Sequence, residues 1–208
     1  VVVIEAGIDD RSIWRRIPVG YFKMVGNPRF DWRFQTEPEP ELDGRRIACP
    51  RGRVLGGTSA INGMLYLRGH ASDYDRWARD GNEGWSWREV LPYFKRAMDQ
   101  IRGESAAHAT GGPLTVSNLV VDELSQAFID SCVASGLKRI DDFNTGSNEG
   151  VSAYQITTRA GQRASTDRAY LREAMARPNL RVITGAHTRR VLFDQTRVAE
   201  GGFRLLGF

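Results

Sequence analysis

The chain opens with an apolar run, VVVIEAG, that constrains its fold more than any other stretch. Four successive β-branched residues, followed by an acidic residue and soon after by a glycine, are typical of a fully buried strand in a parallel sheet. Strand-like and helix-like segments alternate along the rest of the 208 residues, with long excursions between them. We therefore predict an α/β fold, α+β overall, in which two domains are interleaved in sequence.

Glu5 closes this first strand, where dinucleotide-binding βαβ units place the carboxylate that binds the adenosine ribose. In such units a glycine-rich turn, GxGxxG, precedes the acidic residue by about 20 residues. This chain contains no GxGxxG. Either Glu5 is a surface carboxylate at the end of an unrelated strand, or the chain lacks the first βα unit of a dinucleotide fold.

The composition is that of a globular protein without a nucleic-acid surface. The net charge is +4 and the isoelectric point is near 9.3, but basic and acidic residues alternate instead of forming a basic block. Cys49 and Cys132 are far apart and no histidine has metal-ligand spacing, so we expect two buried thiols in a reducing compartment and no metal. No apolar run reaches the roughly 18 residues of a membrane span. We expect a cytoplasmic protein without an integral membrane segment, with peripheral membrane association as an alternative.

Turn and capping signals divide the chain into short elements. Residues 9–40 are rich in turns and aromatic side chains, and Asp43-Gly44 predicts a tight hairpin turn. Pro92 should kink or divide the helix in which it lies. Gly161 predicts a turn after a strand, and Gly185 should separate two short strands. We predict that helices begin near Ser59, at Ser72, at Ser86 with Glu89 in capping-box spacing, at Glu123 and near Thr166.

The pair Gly56-Gly57 indicates a backbone that bends sharply or approaches another group closely. A phosphate loop of the NTPase kind is one interpretation, because the segment from Gly52 to Ser59 matches GxxxxGK[ST] except at the lysine. A second interpretation places backbone N–H groups against a pyrophosphate or a polarised ring. The third is only tight packing between a helix and a strand.

The surrounding stretch RGRVLGGTSAINGMLYLRG, followed by SDYDRWARDGNEGWSWREVLPYFKR, resembles the first signature region of the glucose-methanol-choline (GMC) oxidoreductases, especially their choline-dehydrogenase-like branch. The resemblance continues through DWRFQTEPEPELDGRRI, DDFNTGSNEGVSAYQITTRAGQRAS and RPNLRVITGA, as far as about Val198. It implies part of a FAD-binding Rossmann-like domain, about residues 1–70 and 178–208. Part of a substrate-binding domain with its connections, about residues 71–177, would be interleaved with it. The chain would then be a fragment without the N-terminal GxGxxG unit and the C-terminal catalytic region.

The resemblance implies a FAD-dependent alcohol oxidoreductase, in which a base takes the hydroxyl proton while a hydride passes to the flavin. The substrate would be a small alcohol such as choline, another primary alcohol or an aryl alcohol. Oxygen or a quinone would accept the electrons, and the oligomeric state is left open. The alternative is a non-catalytic remnant or a flavin-binding module. An isolated fragment would expose the apolar edges of its sheet, so we expect this chain alone to be unstable and inactive.

Carried onto matching positions, the resemblance implies a cofactor site. Glu5 would bind the ribose, Gly7 would let the chain turn away beside the cofactor, and Thr188 would lie against the adenine. The pyrophosphate and flavin would be lined by Arg51, Gly52, Val54, Leu55, Gly56, Gly57 and Ser59, and the isoalloxazine ring by Asn62, Gly63, Met64 and Leu65.

FAD would be bound non-covalently, because relatives that attach it through a histidine carry that histidine where this chain has Ile61. His70, His108 and His187 have a suitable unperturbed pKa for a catalytic base. None matches the catalytic histidine of the family, which lies in the C-terminal region, so no catalytic residue is assigned here. We expect all three to be surface or hydrogen-bonded structural residues.

Overall fold

The computed structural model describes residues 1–9 and 11–206, with side chains through residue 198. It divides into two compact units. The discontinuous unit comprises Val1–Gly63 and Gly161–Phe208, and the continuous unit comprises Met64–Ala160. Residues 161–177 therefore belong to the discontinuous unit, whereas the sequence resemblance groups them with residues 71–160.

The described residues mix short strands with short helices, which confirms the predicted fold class. The strands are β1 (Val2–Ile4), β2 (Phe34–Gln35), β3 (Ala48–Cys49), β4 (Leu65–Tyr66), β5 (Met98–Gln100), β6 (Leu114–Asn118), β7 (Gln155–Ile156), β8 (Thr158–Arg159), β9 (Gln162–Arg163), β10 (Arg181–Ile183), β11 (His187–Asp194) and β12 (Arg197–Leu206). The α-helices are α1 (Tyr21–Met24), α2 (Ala71–Arg79), α3 (Trp87–Ala97), α4 (Glu123–Ala134) and α5 (Arg172–Ala174), the last preceded by a π-helical turn at Asp167–Leu171.

The first strand is parallel, as predicted. β1 pairs with β10 in a register that places Val2 beside Arg181 and Ile4 beside Ile183. The prediction of a fully buried strand is wrong, because Val2 is 54% exposed. Among the described residues β1 has β10 as its one strand partner, which leaves its other edge open.

The helix predicted from Ser59 does not form. A short 3-10 turn at Gly57–Ala60 is followed by a turn at Ile61 and a bend at Asn62 before β4 begins. The backbone is left-handed on both sides of this turn, with φ of +90° at Gly56 and +64° at Met64. These values are incompatible with a continuous right-handed helix. Of the apolar residues on the predicted helix, Ile61 and Met64 are buried but Leu65 is 56% exposed.

The core of the discontinuous unit lies beneath this turn, in a cluster formed by Met24, Phe30, Val54, Ala60 and Ile61. β2 and β3 pair in antiparallel fashion, and the predicted turn between them is present, with positive φ at Asp43 and Gly44. β11 follows Gly185, whose φ is +68°, and its backbone pairs with β12. The predicted break before β11 is therefore confirmed.

Capped helices dominate the continuous unit. α3 follows the predicted capping box, in which the Ser86 N–H donates to Glu89 Oε2 at 3.1 Å. The helix is continuous through Pro92, so the proline does not divide it. α2 begins after His70 instead of Ser72, because the Ser72 N–H donates to His70 Nδ1 at 3.2 Å.

The remaining elements of the continuous unit form a small sheet and one further helix. The strand order is β4-β7-β6-β5, with β5 parallel to β6 and the other pairs antiparallel. α4 is capped by Asp122, whose carboxylate accepts the Ser125 N–H at 3.0 Å, and it ends before Gly136 as predicted. None of the helices within the described residues is both long and apolar enough to cross a membrane.

Candidate functional site

Glu5 lies where β1 ends and the chain turns. Its N–H donates to Ile183 O at 2.9 Å, and the Ala186 N–H donates to Glu5 O at 3.0 Å. Glu5 Oε1 accepts the Gly7 N–H at 2.7 Å, and the Ala6 N–H is a second backbone donor to this carboxylate. Burial raises the pKa of Glu5 above its ordinary 4.5, although the Gly7 N–H and the charge of Arg53 oppose the rise. The result is a half-buried carboxylate at the end of the strand, to which backbone N–H groups of the following turn donate.

Gly7 lets this strand end approach the Gly-Gly segment, and Gly52 lets that segment fold back on itself. A Cβ on Gly7 would lie 1.9 Å from Arg53 O, and a Cβ on Gly52 would lie 2.1 Å from Gly57 O. A parallel bridge between Ile8 and Val54 joins the two segments. The structure therefore brings the predicted residues Glu5, Gly7, Gly52, Val54, Leu55, Gly56 and Gly57 into one region.

The Gly56-Gly57 turn is packed on one side and open on the other. A Cβ on Gly56 would lie 2.7 Å from Asp167 Oδ1, whereas no described atom lies within 4 Å of a Cβ built on Gly57. The Ser59 hydroxyl donates to Gly56 O at 2.5 Å, and it accepts the Thr166 N–H at 2.9 Å. Both glycines have positive φ, so the turn depends on their conformational freedom.

Arg163 holds the residues that follow this turn, and sequence reasoning missed it. The side chain is 1% exposed and donates to Asn62 O at 2.7 Å, Asn62 Oδ1 at 2.8 Å and Ser59 O at 3.2 Å. Burial and the nearby Arg15 lower the pKa of Arg163 to about 10. The guanidinium therefore stays charged at neutral pH and fixes Asn62.

A buried ion pair supports the other side of the turn and was also missed. Arg15 Nη2 lies 2.8 Å from Asp167 Oδ2 and also donates to Leu55 O at 2.8 Å. Asp167 is 2% exposed and accepts the Ser165 hydroxyl through Oδ1. The paired arginines in RSIWRR and the polar run RASTD were the available signals. From the sequence alone, neither run indicates that its segment packs against the Gly56-Gly57 turn.

The other residues predicted to bind the cofactor differ in burial and in position. Val54 and Leu55 are buried, so only their backbone can face a ligand. The Arg51 side chain is exposed, and its N–H donates to Asp31 Oδ1 at 2.9 Å. Gly63 is the last residue of the first segment of the discontinuous unit, and Met64 and Leu65 are the first residues of the continuous unit. Thr188 is half-buried on β11, opposite Leu205.

The three histidines have distinct surroundings. His70 caps α2, and His108 Nε2 lies 2.8 Å from Asp142 Oδ2. Burial lowers the pKa of His108 below 6.5, although the Asp142 carboxylate opposes this shift. The exposed His187 ring lies 4.9 Å from that of Trp32, over which Arg53 is placed at 5.1 Å.

The described side chains form no candidate metal site, and the two cysteines are half-buried. Within residues 1–9 and 11–206, no three His, Cys, Asp or Glu side chains lie close enough together to hold a metal ion. Cys49 and Cys132 are free thiols, as predicted, but both are half-buried instead of buried. Cys49 lies on the two-residue strand β3 and Cys132 on α4, elements that cover each thiol only partly.

Comparison with known proteins places the chain in a family. The family model for GMC oxidoreductases matches residues 8–203, which extends past Val198. The oxygen-dependent choline dehydrogenase of Photobacterium profundum is 46% identical over 195 residues, covering 92% of this chain and 34% of that protein. The protein of the same name from Vibrio vulnificus is 40% identical over the whole chain and 38% of its own length. The chain thus spans about a third of the length of the curated relatives it matches.

Solved structures agree with this placement. Pyridoxine 4-oxidase from Mesorbium loti superposes with a TM-score of 0.91 and 32% identity, covering all of this chain and 41% of that protein. A FAD-dependent oxidoreductase from Chaetomium thermophilum gives a TM-score of 0.84 and 27% identity, covering 95% of this chain and 36% of that protein. The family-model match over most of the sequence, with these relatives, shows that the chain belongs to the GMC oxidoreductase family.

Proposed function

We propose that this chain forms the FAD-binding part of an oxidoreductase that converts a small alcohol to an aldehyde. The observation that carries the proposal is the contact between the Glu5 strand end and the Gly52–Ser59 segment, which depends on Gly7. Membership of the GMC oxidoreductase family supports the same activity for the protein to which these residues belong.

The residues fit such a cofactor in two respects. Glu5 provides a half-buried carboxylate at the end of a parallel strand, which is where dinucleotide folds bind the ribose hydroxyls. The open side of Gly57 admits a ligand close to the backbone. Ile61 is apolar and 1% exposed, which supports non-covalent binding at that position.

FAD, when bound, supplies the hydride acceptor for oxidation of the alcohol carbon. The residues of this chain would bind the cofactor and orient it. Glu5 would hold the ribose, Gly56 and Gly57 would hold the pyrophosphate, and Arg163 would keep Asn62 in position beside the ring. We assign none of the three histidines as the base that takes the hydroxyl proton, because His70 and His108 are engaged in structural hydrogen bonds and His187 matches no catalytic position of the family.

Choline is the favoured substrate, and a small primary or aryl alcohol is the alternative. The names of the relatives from P. profundum and V. vulnificus support choline as the alcohol and oxygen as the electron acceptor, with a quinone as the other candidate. A flavin-binding module without catalysis is the second candidate function. It is favoured because no described side chain is assigned as the base that takes the hydroxyl proton.

Flavin retention tests the proposed site. Purified chain would be mixed with FAD, desalted and examined by absorption spectroscopy, with circular dichroism to establish that it is folded. We expect retained flavin in the wild-type chain and loss of retention in Glu5→Gln. Glu83→Gln removes the same charge from an exposed position in the continuous unit and should retain flavin like the wild type. Folded wild-type chain without flavin would contradict the proposal.

Turnover separates the two candidate functions. Flavin-loaded chain would be assayed with choline, a small primary alcohol and an aryl alcohol, using an artificial electron acceptor. Reduction of the acceptor would support an alcohol oxidoreductase, and the preferred alcohol would identify the substrate class. Retained flavin without turnover would support the flavin-binding module for this chain.

A further inference from the structure

A cleft of about 290 Å³ in the discontinuous unit has a predominantly cationic lining. It lies between two segments, residues 11–16 and residues 165–172, that are distant in sequence. The lining residues are Arg11, Ser12, Arg15, Arg16, Ser165, Asp167, Arg168 and Arg172. Five of these eight side chains carry a guanidinium, which is far above the arginine content of the chain as a whole.

Two of the five arginines are balanced by carboxylates. Arg15 lies 2.8 Å from Asp167 and 3.7 Å from Asp9. Arg172 lies 2.8 Å from Asp9 and 3.6 Å from Asp167. These two cations and two anions form a neutral set at one wall of the cleft, so they contribute little net charge.

The other three arginines have no carboxylate within 4 Å in the described part of the chain. Arg11, Arg16 and Arg168 are exposed, and Asp10 lies outside the described residues. Burial lowers the pKa of Arg168, and the charges of Arg16, Arg172 and Arg15 lower it further, against the opposing charge of Asp167. Positive charge is therefore crowded in the cleft.

The cleft also contains an unsatisfied hydroxyl. Ser12 Oγ is buried and has no hydrogen-bond partner among the described residues. Leaving a buried polar atom unpaired is unfavourable, so such atoms in native proteins usually meet a ligand or an ordered water. The Ser12 hydroxyl can donate to an anion that the arginines attract.

We propose that this cleft binds the phosphate group of a small molecule, at a site separate from the one formed by Glu5 and Gly57. A phosphate dianion matches three unbalanced guanidinium groups and one hydroxyl donor, because guanidinium groups bind tetrahedral oxyanions through paired, charge-assisted hydrogen bonds. The volume accommodates a phosphate with a small organic substituent. The concave shape and the alternating charges along the rest of the chain favour a small molecule over a nucleic acid.

Asp167 forms the wall between the two sites. Its Oδ1 lies 2.7 Å from a Cβ built on Gly56, whereas its Oδ2 pairs with Arg15 in the cleft. The diphosphate of the proposed FAD cofactor is therefore the other possible source of a phosphate group here. If the cleft and the cofactor site are separate, FAD and free phosphate should bind without competing.

Isothermal titration calorimetry with inorganic phosphate, at constant ionic strength, tests the proposal. We expect one saturable site in the folded wild-type chain. The double variant Arg16→Gln/Arg168→Gln should bind phosphate at least about tenfold more weakly, because two charge-assisted contacts are lost. The control Arg76→Gln/Arg88→Gln makes the same charge change at exposed positions on α2 and α3, and it should bind like the wild type.

Three outcomes would overturn the proposal: no saturable phosphate binding, equal weakening in both double variants, or a loss of phosphate affinity when FAD is added. The last would mean that the cleft holds the diphosphate of the cofactor. If Arg16→Gln/Arg168→Gln does not fold, the exposed single variant Arg11→Gln replaces it, with an expected weakening of severalfold. Unchanged affinity in Arg11→Gln would then contradict the proposal.

Discussion

The two units of the chain are stabilised in different ways. In the discontinuous unit, Gly7 and Gly52 bring backbone segments into direct contact, and Arg15, Arg163 and Asp167 are buried around a turn. In the continuous unit, capped helices and a four-stranded sheet spread the stabilising contacts over many residues. The proposed cofactor site lies in the unit that relies on a few close contacts. Single substitutions should therefore affect the discontinuous unit more severely.

Gly7→Ala should have the largest effect. The new Cβ would meet Arg53 O at 1.9 Å, and neither backbone segment can move without disturbing the pairing of Glu5. We expect the free energy of unfolding to fall by about 3 to 5 kcal/mol, measured by urea denaturation. Gly63→Ala is the matched control, because no described atom lies within 4 Å of its Cβ, and it should change stability by less than about 0.5 kcal/mol. Equal losses in the two variants would contradict the close-contact explanation.

Arg163→Gln should be the next most severe change. It removes a buried charge and leaves carbonyl oxygens of Ser59 and Asn62 without their donor. We expect a loss of about 2 to 4 kcal/mol in the free energy of unfolding. The exposed substitution Arg177→Gln serves as the control and should be close to neutral. A neutral Arg163→Gln would show that the Ser59–Asn62 turn does not need the guanidinium.

Asp31→Asn should change the acid sensitivity of the discontinuous unit. Burial raises the pKa of Asp31, but N–H groups of Arg33, Gly26 and Arg51 hold it below its ordinary 3.8 overall. Because the folded state binds the proton less readily, this stabilisation is complete above pH 3.8 and is lost as the pH falls through the lowered pKa. Asp31→Asn should cost about 1 to 3 kcal/mol at neutral pH.

Melting temperatures between pH 2 and pH 7 would measure this effect. Asp31→Asn should lose less stability on acidification than the wild type, whereas the exposed Asp141→Asn should follow the wild-type curve. Parallel curves for wild type and Asp31→Asn would show that the carboxylate of Asp31 is not responsible for the acid sensitivity.

Ser86→Ala should have the smallest effect of the four, and it lies at the capping box of α3 in the continuous unit. The substitution removes the hydroxyl that donates to Glu89 at 2.5 Å, while the Ser86 N–H contact remains possible. We expect a loss of about 1 kcal/mol in the free energy of unfolding. Ser147→Ala, at an exposed position outside the helices, should cause no measurable loss. A loss as large as that of Gly7→Ala would remove the contrast between the units.

Local signals explain which elements could be predicted from the sequence. Ser86 with Glu89 and the Asp43-Gly44 turn act within a few residues, and both appear in the structure. The helix predicted at Ser59 does not form, because residues distant in the sequence determine the conformation of this segment. Arg163 and Asp167 hold that turn, and they lie about a hundred residues later in the chain. His70 was missed as a cap because a ring nitrogen accepts the N–H in place of the usual hydroxyl or carboxylate.

The pairing of β1 with β10 has a consequence for biosynthesis. The two strands are about 180 residues apart in the chain, so at about 5 to 20 residues per second β1 leaves the ribosome roughly 10 to 35 seconds before its partner. The continuous unit is complete in sequence before β10 is made. During that interval the apolar segment VVVIEAG lacks β10, the partner strand that it has among the described residues. An unpaired apolar strand of this kind is prone to aggregate until β10 has been synthesised.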